Sequence, residues 1–444
     1  MEFFAQFPDF GGGLRTLVAF VGALSIIVAI HEYGHYIVGR WCGIKADVFS
    51  LGFGPVVFSR VDRHGTRWQI AALPLGGFVK FKGDADAASG RDEEVMAALS
   101  PEAARDTMHG APLWARAATV AAGPVFNFVF SILIFAGIAI SIGIATDEAR
   151  IGQVKPMPGA ERLQEGDLIT ALNGAAVKDL RDFATIATEL PAAPFADYTL
   201  ERAGRVMQVK GPFPFPPLAD QVNPDSPAQD AGLIAGDVIL SVDGTAISSF
   251  TELREAVALA GGSEVALQIW RAGAILDVSL TPKRMDVPRA EGGFETRWLI
   301  GVTGGLAFVP ETRNAGPVEA LQIGVSQVGS IIKTSLSGMW HMVTGAISSC
   351  NLRGPLGIAQ SSGNAAAQGS FTFIWFIGML STAVGLMNLF PVPVLDGGHL
   401  VFHAWEAVTG KPPSDRALRG LMTAGLTILL SLMVFALTND LFCP

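Results

Sequence analysis

Residues Thr16–Val38 read TLVAFVGALSIIVAIHEYGHYIV, a stretch with no charge until His31-Glu32-Tyr33-Gly34-His35 near its end. At 1.5 Å per residue such a segment is long enough to cross about 30 Å of hydrocarbon as a helix. On that helix the i, i+4 spacing stacks the imidazoles of His31 and His35 one turn apart on one face. Two neutral imidazoles so placed can share one Zn²⁺, and Glu32 beside them can act as general base toward the attacking water. A polar helix end at the membrane surface would also tolerate these residues. Within a span, however, an acidic side chain costs about 2.5–3.5 kcal/mol, and a metal held in a polar cavity compensates for that cost.

The stretch sets the reading of the rest. Half of the 444 residues are apolar and mean hydropathy is +0.41, too apolar for an ordinary water-soluble chain of this length. Three further stretches are long and apolar enough to span: Ala117–Ala145, Phe371–Phe390 and Leu421–Thr438. The expected fold is a polytopic α-helical membrane protein with four transmembrane helices. Thr16–Val38 lacks the basic flank and cleavage site of a signal peptide and is expected to be retained. Arg40–Arg116 holds ten Lys and Arg residues, so the positive-inside rule puts it in the cytoplasm and puts the stretch from about Thr146 to Gly369 outside.

That outer stretch contains a repeat. Gly166-Asp167-Leu168-Ile169-Thr170-Ala171-Leu172-Asn173-Gly174 matches Gly236-Asp237-Val238-Ile239-Leu240-Ser241-Val242-Asp243-Gly244. Each copy is an apolar strand closed by an Asn-Gly or Asp-Gly turn signal. The pattern resembles PDZ domains of bacterial proteases, so two inserted β-rich PDZ-like domains are expected over 150–217 and 218–283. Such folds bind extended peptides along a sheet edge. Neither copy holds a nucleophile or a metal cluster, so recognition or size exclusion is the expected role. Residues 284–369 are expected to form a periplasmic connector between membrane domains 1–145 and 370–444. Within it, Pro317–His341 is apolar at helical spacing with a polar face, as in an interfacial amphipathic helix or a fifth span. Gly83–Arg105 reads as a polar cytoplasmic loop.

A net charge of -9 without basic blocks gives no support to a nucleic-acid partner. Cys350 and Cys443 both fall in segments expected outside, in an oxidising compartment, and sequence separation does not say whether they pair. A catalytic zinc site needs a third protein ligand. Asp396 stands just beyond the third span in the run Asn388-Leu389-Phe390-Pro391-Val392-Pro393-Val394-Leu395-Asp396-Gly397-Gly398-His399, where two prolines break the helix. Spacing does not exclude His399 as a rival ligand, and Asp396 could instead be a helix cap.

Taken with Gly123-Pro124-Val125-Phe126-Asn127 in the second span, these motifs resemble the site-2 protease family of intramembrane zinc metalloproteases, in the family's order. Gly52-Phe53-Gly54-Pro55 and Ala72-Leu73-Pro74-Leu75-Gly76-Gly77-Phe78-Val79-Lys80 also look like its bacterial branch. The resemblance implies that His31, His35 and Asp396 bind zinc and that Glu32 activates water. It also implies that Asn388 holds substrate or stabilises the oxyanion, and that Asn127, Pro391, Pro393, Gly76 and Gly77 shape the substrate path. Thr66–Lys80 alternates as a strand ending in a Pro-Leu-Gly-Gly bend, and the family likeness suggests a membrane-associated hairpin that pairs with unwound substrate. Where some relatives carry a second asparagine, this chain has Ala383.

The implied function is intramembrane proteolysis of single-span membrane proteins, such as anti-sigma factors and remnant signal peptides, by a monomer embedded in inner-membrane lipid. A PDZ-based scaffold with a structural metal site is the alternative, but such a site has no use for Glu32. An ion transporter would also place His, Glu and Asp in spans, yet four spans without an inverted repeat argue against it.

Overall fold

The computed structural model describes residues 11–84, 96–97, 99–223, 226–289 and 293–443. Of the polar loop expected at Gly83–Arg105, residues 85–95 and 98 lie outside them. The chain folds as two compact units. One comprises Met1–Ile138, Pro317–Met342 and Ser349–Pro444; the other comprises Ala139–Gly316 and Val343–Ser348.

The first unit is helical, as hydrocarbon demands of a chain that must satisfy its own backbone groups. It begins with α1 (Gly11–Trp41), followed by strands β1 (Ala46–Val61) and β2 (Arg67–Phe81) and by α2 (Leu113–Ile142). Four helices among the described residues are long and apolar enough to cross a membrane: α1, α2, and the helices containing Ser370–Asn388 and Arg416–Phe442. Their limits correct two expected spans. Ile144 and Ala145 leave the second helix, because Gly143 turns at φ +84° and both residues join a strand instead. Leu389 and Phe390 fall outside the third, since the helix cannot run on into Pro391. Helices approach closely where side chains vanish: a Cβ on Gly34 of α1 would lie 2.6 Å from the Ala122 carbonyl of α2.

Strands β1 and β2 form one antiparallel hairpin. The bend expected at Pro74–Gly77 is absorbed into β2 as an irregularity in register rather than ending the strand. Large apolar side chains on the hairpin stay exposed, among them Val56, Val57, Phe58 and Leu73.

The second unit starts with β3 (Ile144–Ala145) and β4 (Ile151–Val154). The first repeat continues through β5 (Leu168–Leu172), β6 (Ala175–Ala176), α3 (Leu180–Glu189), β7 (Phe195–Arg202) and β8 (Arg205–Pro212). The second runs through β9 (Gln221–Val222), β10 (Val238–Val242), β11 (Thr245–Ala246), α4 (Phe250–Ala260), β12 (Val265–Arg271) and β13 (Ala274–Leu280). Their sheets have the same order, β6-β5-β7-β8 and β11-β10-β12-β13. The repeated turn signals work as expected: Asn173 and Asp243 adopt φ of 44° and 48°, each followed by a glycine also at positive φ. The repeated aspartates are fully buried, and each grips an arginine of the neighbouring strand in its sheet, Asp167 with Arg202 and Asp237 with Arg271, at 2.7 Å.

The unit ends with a hairpin of β14 (Lys283–Pro288) and β15 (Phe294–Leu299), then β16 (Val302–Thr303), β17 (Phe308–Pro310) and β18 (Thr312–Arg313). These last strands correct the expected 150–217 and 218–283 boundaries. β16 pairs with β9, β17 with β4 and β18 with β3. Phe308 fills the core of the first repeat and Ile300 that of the second. Each repeat leaves a short strand edge unpaired, and the segment beyond Lys283 satisfies both.

The expected 284–369 connector is therefore divided. Its strands belong to the second unit, while α5 (Pro317–Val343) contributes Pro317–Met342 to the helical unit, together with α6 (Pro355–Ala367). Ala320, Gly324 and Val328 form the buried stripe of α5, and a Cβ on Gly324 would stand 2.5 Å from the Ile132 carbonyl of α2. The helical unit closes with α7 (Ser370–Asn388), α8 (Asp396–Thr409) and α9 (Asp415–Phe442). Cys350 and Cys443 form a disulfide.

Candidate active site

Helix periodicity delivers the first part of the site. His31 and His35 project from one face of α1, with Nε2 atoms 3.1 Å apart. The third group arrives from 361 residues downstream on the N-terminal turn of α8, where a carboxylate suits the helix dipole. Asp396 Oδ2 lies 3.1 Å from His31 Nε2 and 3.5 Å from His35 Nε2. Among the described residues these three alone form a cluster of metal-ligand atoms, all within 4.8 Å of one another.

The loop before α8 is folded back on itself. Val392 N–H donates to the Phe390 carbonyl and Leu395 N–H to that of Val392. A Cβ on Gly397 or Gly398 would come within 2.3 Å of the carbonyls of Leu389, Phe390 or Val392, so the paired glycines let the loop close tightly and set the start of α8. Arg116 of α2 ties the same helix down with a bidentate pair to Glu406, at 3.0 and 2.6 Å.

α2 supplies the wall behind the imidazoles. His35 Nδ1 is 2.8 Å from the Thr119 carbonyl, which can only accept, so the ring carries its proton on Nδ1 and leaves Nε2 bare. His31 Nδ1 meets the side-chain amide of Asn127 at 3.2 Å. Between them stands Gly123, where a Cβ would lie 2.3 Å from His35 Nε2 and 2.8 Å from His31 Nε2. Only a residue without a side chain leaves that space open.

A cavity of about 310 Å³ opens onto the cluster, lined by His31, Glu32, His35 and Asp396 with Asn388 and Gly77. β2 runs past Glu32: the Val79 backbone N–H donates to its carboxylate, and a Cβ on Gly77 would lie 3.2 Å from Glu32 Cγ. Asn388 uses its amide NH₂ on the Val384 carbonyl of its own helix. Pro391, Pro393 and Gly76 do not line the cavity. Pro393 packs toward Gly425 of α9, and Gly76 lies beside the Phe53 ring. Asn127 is fully buried and faces His31 rather than an open path. His399 lines the cavity but stands outside the three-residue cluster.

Sequence reasoning gave no role to Gly123, Thr119 or the Arg116–Glu406 pair. Gly123 had a signal in its motif. The others have none, because a backbone carbonyl acceptor and an ion pair 290 residues apart leave no local pattern.

Two imidazole nitrogens and one carboxylate oxygen make the donor set of a catalytic zinc centre with a position left for water. The arrangement fits a cation: Asp396 Oδ2 is buried beside both rings yet accepts no hydrogen bond of proper geometry. Residues 19–432 match the profile of peptidase family M50. The chain belongs to that family. It is 34% identical over 430 residues to a protein of Agrobacterium fabrum named as a zinc metalloprotease, covering 96% of this chain and 95% of the relative. A second so named, from Rhizobium meliloti, is 35% identical over 427 residues, covering 96% of each chain. The regulator of sigma E protease of Salmonella typhimurium is 32% identical over 459 residues, covering 96% of this chain and 98% of that one. This M50 chain is a zinc metalloprotease, and four helices among its described residues are long and apolar enough to cross a membrane.

Proposed function

We propose that the protein is an intramembrane endopeptidase of the bacterial inner membrane, with His31, His35 and Asp396 holding zinc and Glu32 acting as general base. The observation that carries this reading is the meeting of the three ligand atoms and Glu32 in one cavity walled by apolar helices. When bound, zinc polarises the peptide carbonyl and makes water nucleophilic near neutral pH. Glu32 takes the proton of the attacking water and passes one to the leaving amine. The Val79 N–H orients the carboxylate for both tasks.

The substrates are transmembrane segments of single-span proteins, of the anti-sigma factor or remnant signal-peptide kind. A helix hides its peptide carbonyls in its own hydrogen bonds, so it must be unwound before cleavage. The β1–β2 hairpin supports this reading, since β2 reaches Glu32 and its outer edge carries exposed apolar side chains suited to lipid. Asn388, at the cavity edge, is suited to donate to the oxyanion once it releases the Val384 carbonyl. The PDZ-like pair lies outside the membrane and screens substrates by size.

The test is cleavage of a transmembrane test substrate in detergent. Cleavage should stop on chelation, return with zinc and vanish in Glu32→Gln while that variant keeps its zinc. A zinc-loaded Glu32→Gln protein that still cuts at more than a small fraction of the wild-type rate removes Glu32 from the role of base.

A further inference from the structure

The two imidazoles face their zinc-side neighbours alike but are held from behind by unlike groups. His35 Nδ1 meets a backbone carbonyl, which fixes its tautomer. His31 Nδ1 meets Asn127, whose carboxamide ends in an oxygen on one side and an NH₂ on the other, two ends of nearly the same shape. In the orientation of the structure, the NH₂ faces the ring at 3.2 Å. That arrangement requires His31 Nδ1 to accept and therefore places the ring proton on Nε2. But Nε2 is the atom that points at Asp396 Oδ2 and His35 Nε2, 3.1 Å from each. A protonated Nε2 cannot be a metal ligand.

Among the described residues nothing else holds the carboxamide one way round. Its oxygen is buried without a hydrogen-bond partner, and Asn127's remaining contacts, from Ser131 Oγ and Ser381 Oγ, go to its backbone carbonyl. Either orientation leaves one end of the amide without a partner, so His31 alone decides. The geometry points to Asn127 as a positioning residue whose side-chain oxygen accepts the His31 Nδ1–H and commits the Nε2 lone pair to the metal. This rests on the zinc-site reading above. It gives His31 what Thr119 gives His35, an acceptor on α2 that sets ring orientation and tautomer. Asn127 is fully buried at 0% exposure, so the role needs no contact with substrate.

The experiment separates acceptor from donor, and both from a merely structural role. Zinc affinity of the full-length protein in detergent is measured by competition with a chromophoric chelator, and the visible spectrum is recorded after cobalt substitution. Asn127→Asp keeps an acceptor and loses the donor; Asn127→Leu loses both. Asn127→Asp should bind zinc at least as tightly as wild type to within about threefold, with an unchanged cobalt spectrum, whereas Asn127→Leu should bind about 10–100-fold more weakly. If Asn127→Asp is as weak as Asn127→Leu, the amide donates and the proposal is overturned. Wild-type affinity in Asn127→Leu overturns it equally. Should Asn127→Leu fail to fold, Asn127→Asp decides alone, and a tenfold loss counts against the acceptor role. His35→Ala is the control for the site itself: if it binds zinc like wild type, the zinc-site reading fails, and the role of Asn127 falls with it.

Discussion

Replacing Gly123 by alanine adds one methyl group at the centre of the site and should remove the metal while sparing the fold. The new Cβ would sit 2.3 Å from His35 Nε2, 2.6 Å from its Cε1 and 2.8 Å from His31 Nε2. Ordinary contact begins near 3.4 Å, so the His35 ring must move by about 1 Å, against a tolerance of about 0.2 Å in zinc–ligand distances. α2 has little room to retreat instead. It is pinned by the Arg116–Glu406 pair on one side of Gly123 and, on the other, by two hydrogen bonds to α7, from Ser381 Oγ to the Asn127 carbonyl and from Ser131 Oγ to the Gly378 carbonyl. Helix propensity works the other way, by about 1 kcal/mol in favour of alanine. A fold that holds and a ligand set that fails is therefore the expected outcome. Zinc affinity should drop by about 100-fold or more, the upper end of what losing a supporting contact costs, and proteolysis should drop with it. Chelator competition on the purified protein measures the first, and circular dichroism checks that helix content is unchanged. A Gly123→Ala protein that binds zinc like wild type and cuts normally would show that the rings do not lie where the cluster requires.

Asp396→Asn should lower zinc affinity as well as activity, whereas His399→Ala should leave zinc content at the wild-type level; the reverse pattern, read by metal analysis of both proteins, would make His399 the third ligand. Burial raises the Asp62 carboxyl, but donors from Trp68, the His64 and Thr66 backbone and Tyr36 outweigh it and hold Asp62 below the usual carboxylate range. That stabilisation is present above about pH 3.9, the unfolded value, and is lost as pH falls through the lower folded one. Acid titration of the Trp68 fluorescence contribution should accordingly show a midpoint below 3.9 that disappears in Asp62→Asn, and a midpoint above it contradicts the assignment. Excision of residues 146–311, closing β3 onto β18 with an Asn-Gly turn, should keep zinc and the cleavage of a substrate with a short outer tail, and should admit substrates with folded outer domains; a folded, zinc-loaded deletion that cuts neither would end the gating proposal.

The excision end points show where sequence reading stops. The repeated Gly-Asp strands and their Asn-Gly and Asp-Gly turns were visible because each is a local pattern, and the copy 70 residues on doubled the signal. Strands β16, β17 and β18 are only two or three residues long and have no period of their own, so a deletion planned on the repeat alone, Arg150–Lys283, would strand Ile300 and Phe308 without the cores they fill. The site divides in the same way. His31, Glu32 and His35 announce themselves, since one helix turn brings them together without help from the rest of the chain. Asp396 and His399 are both candidates on spacing, and it is the likeness to a family that chooses Asp396, whose carboxylate lies within 4.8 Å of both imidazole nitrogens. What supports the cluster was illegible. Thr119 acts through its backbone carbonyl, which any residue possesses, and Asn127 is 96 residues from the ring it touches. Its motif assigned Asn127 to the substrate path; its fully buried side chain meets the His31 ring. The motif on the second helix thus makes two contacts that only three dimensions separate: Gly123 faces the imidazole Nε2 atoms, and Asn127, one turn further along the same helix face, meets the His31 ring at Nδ1.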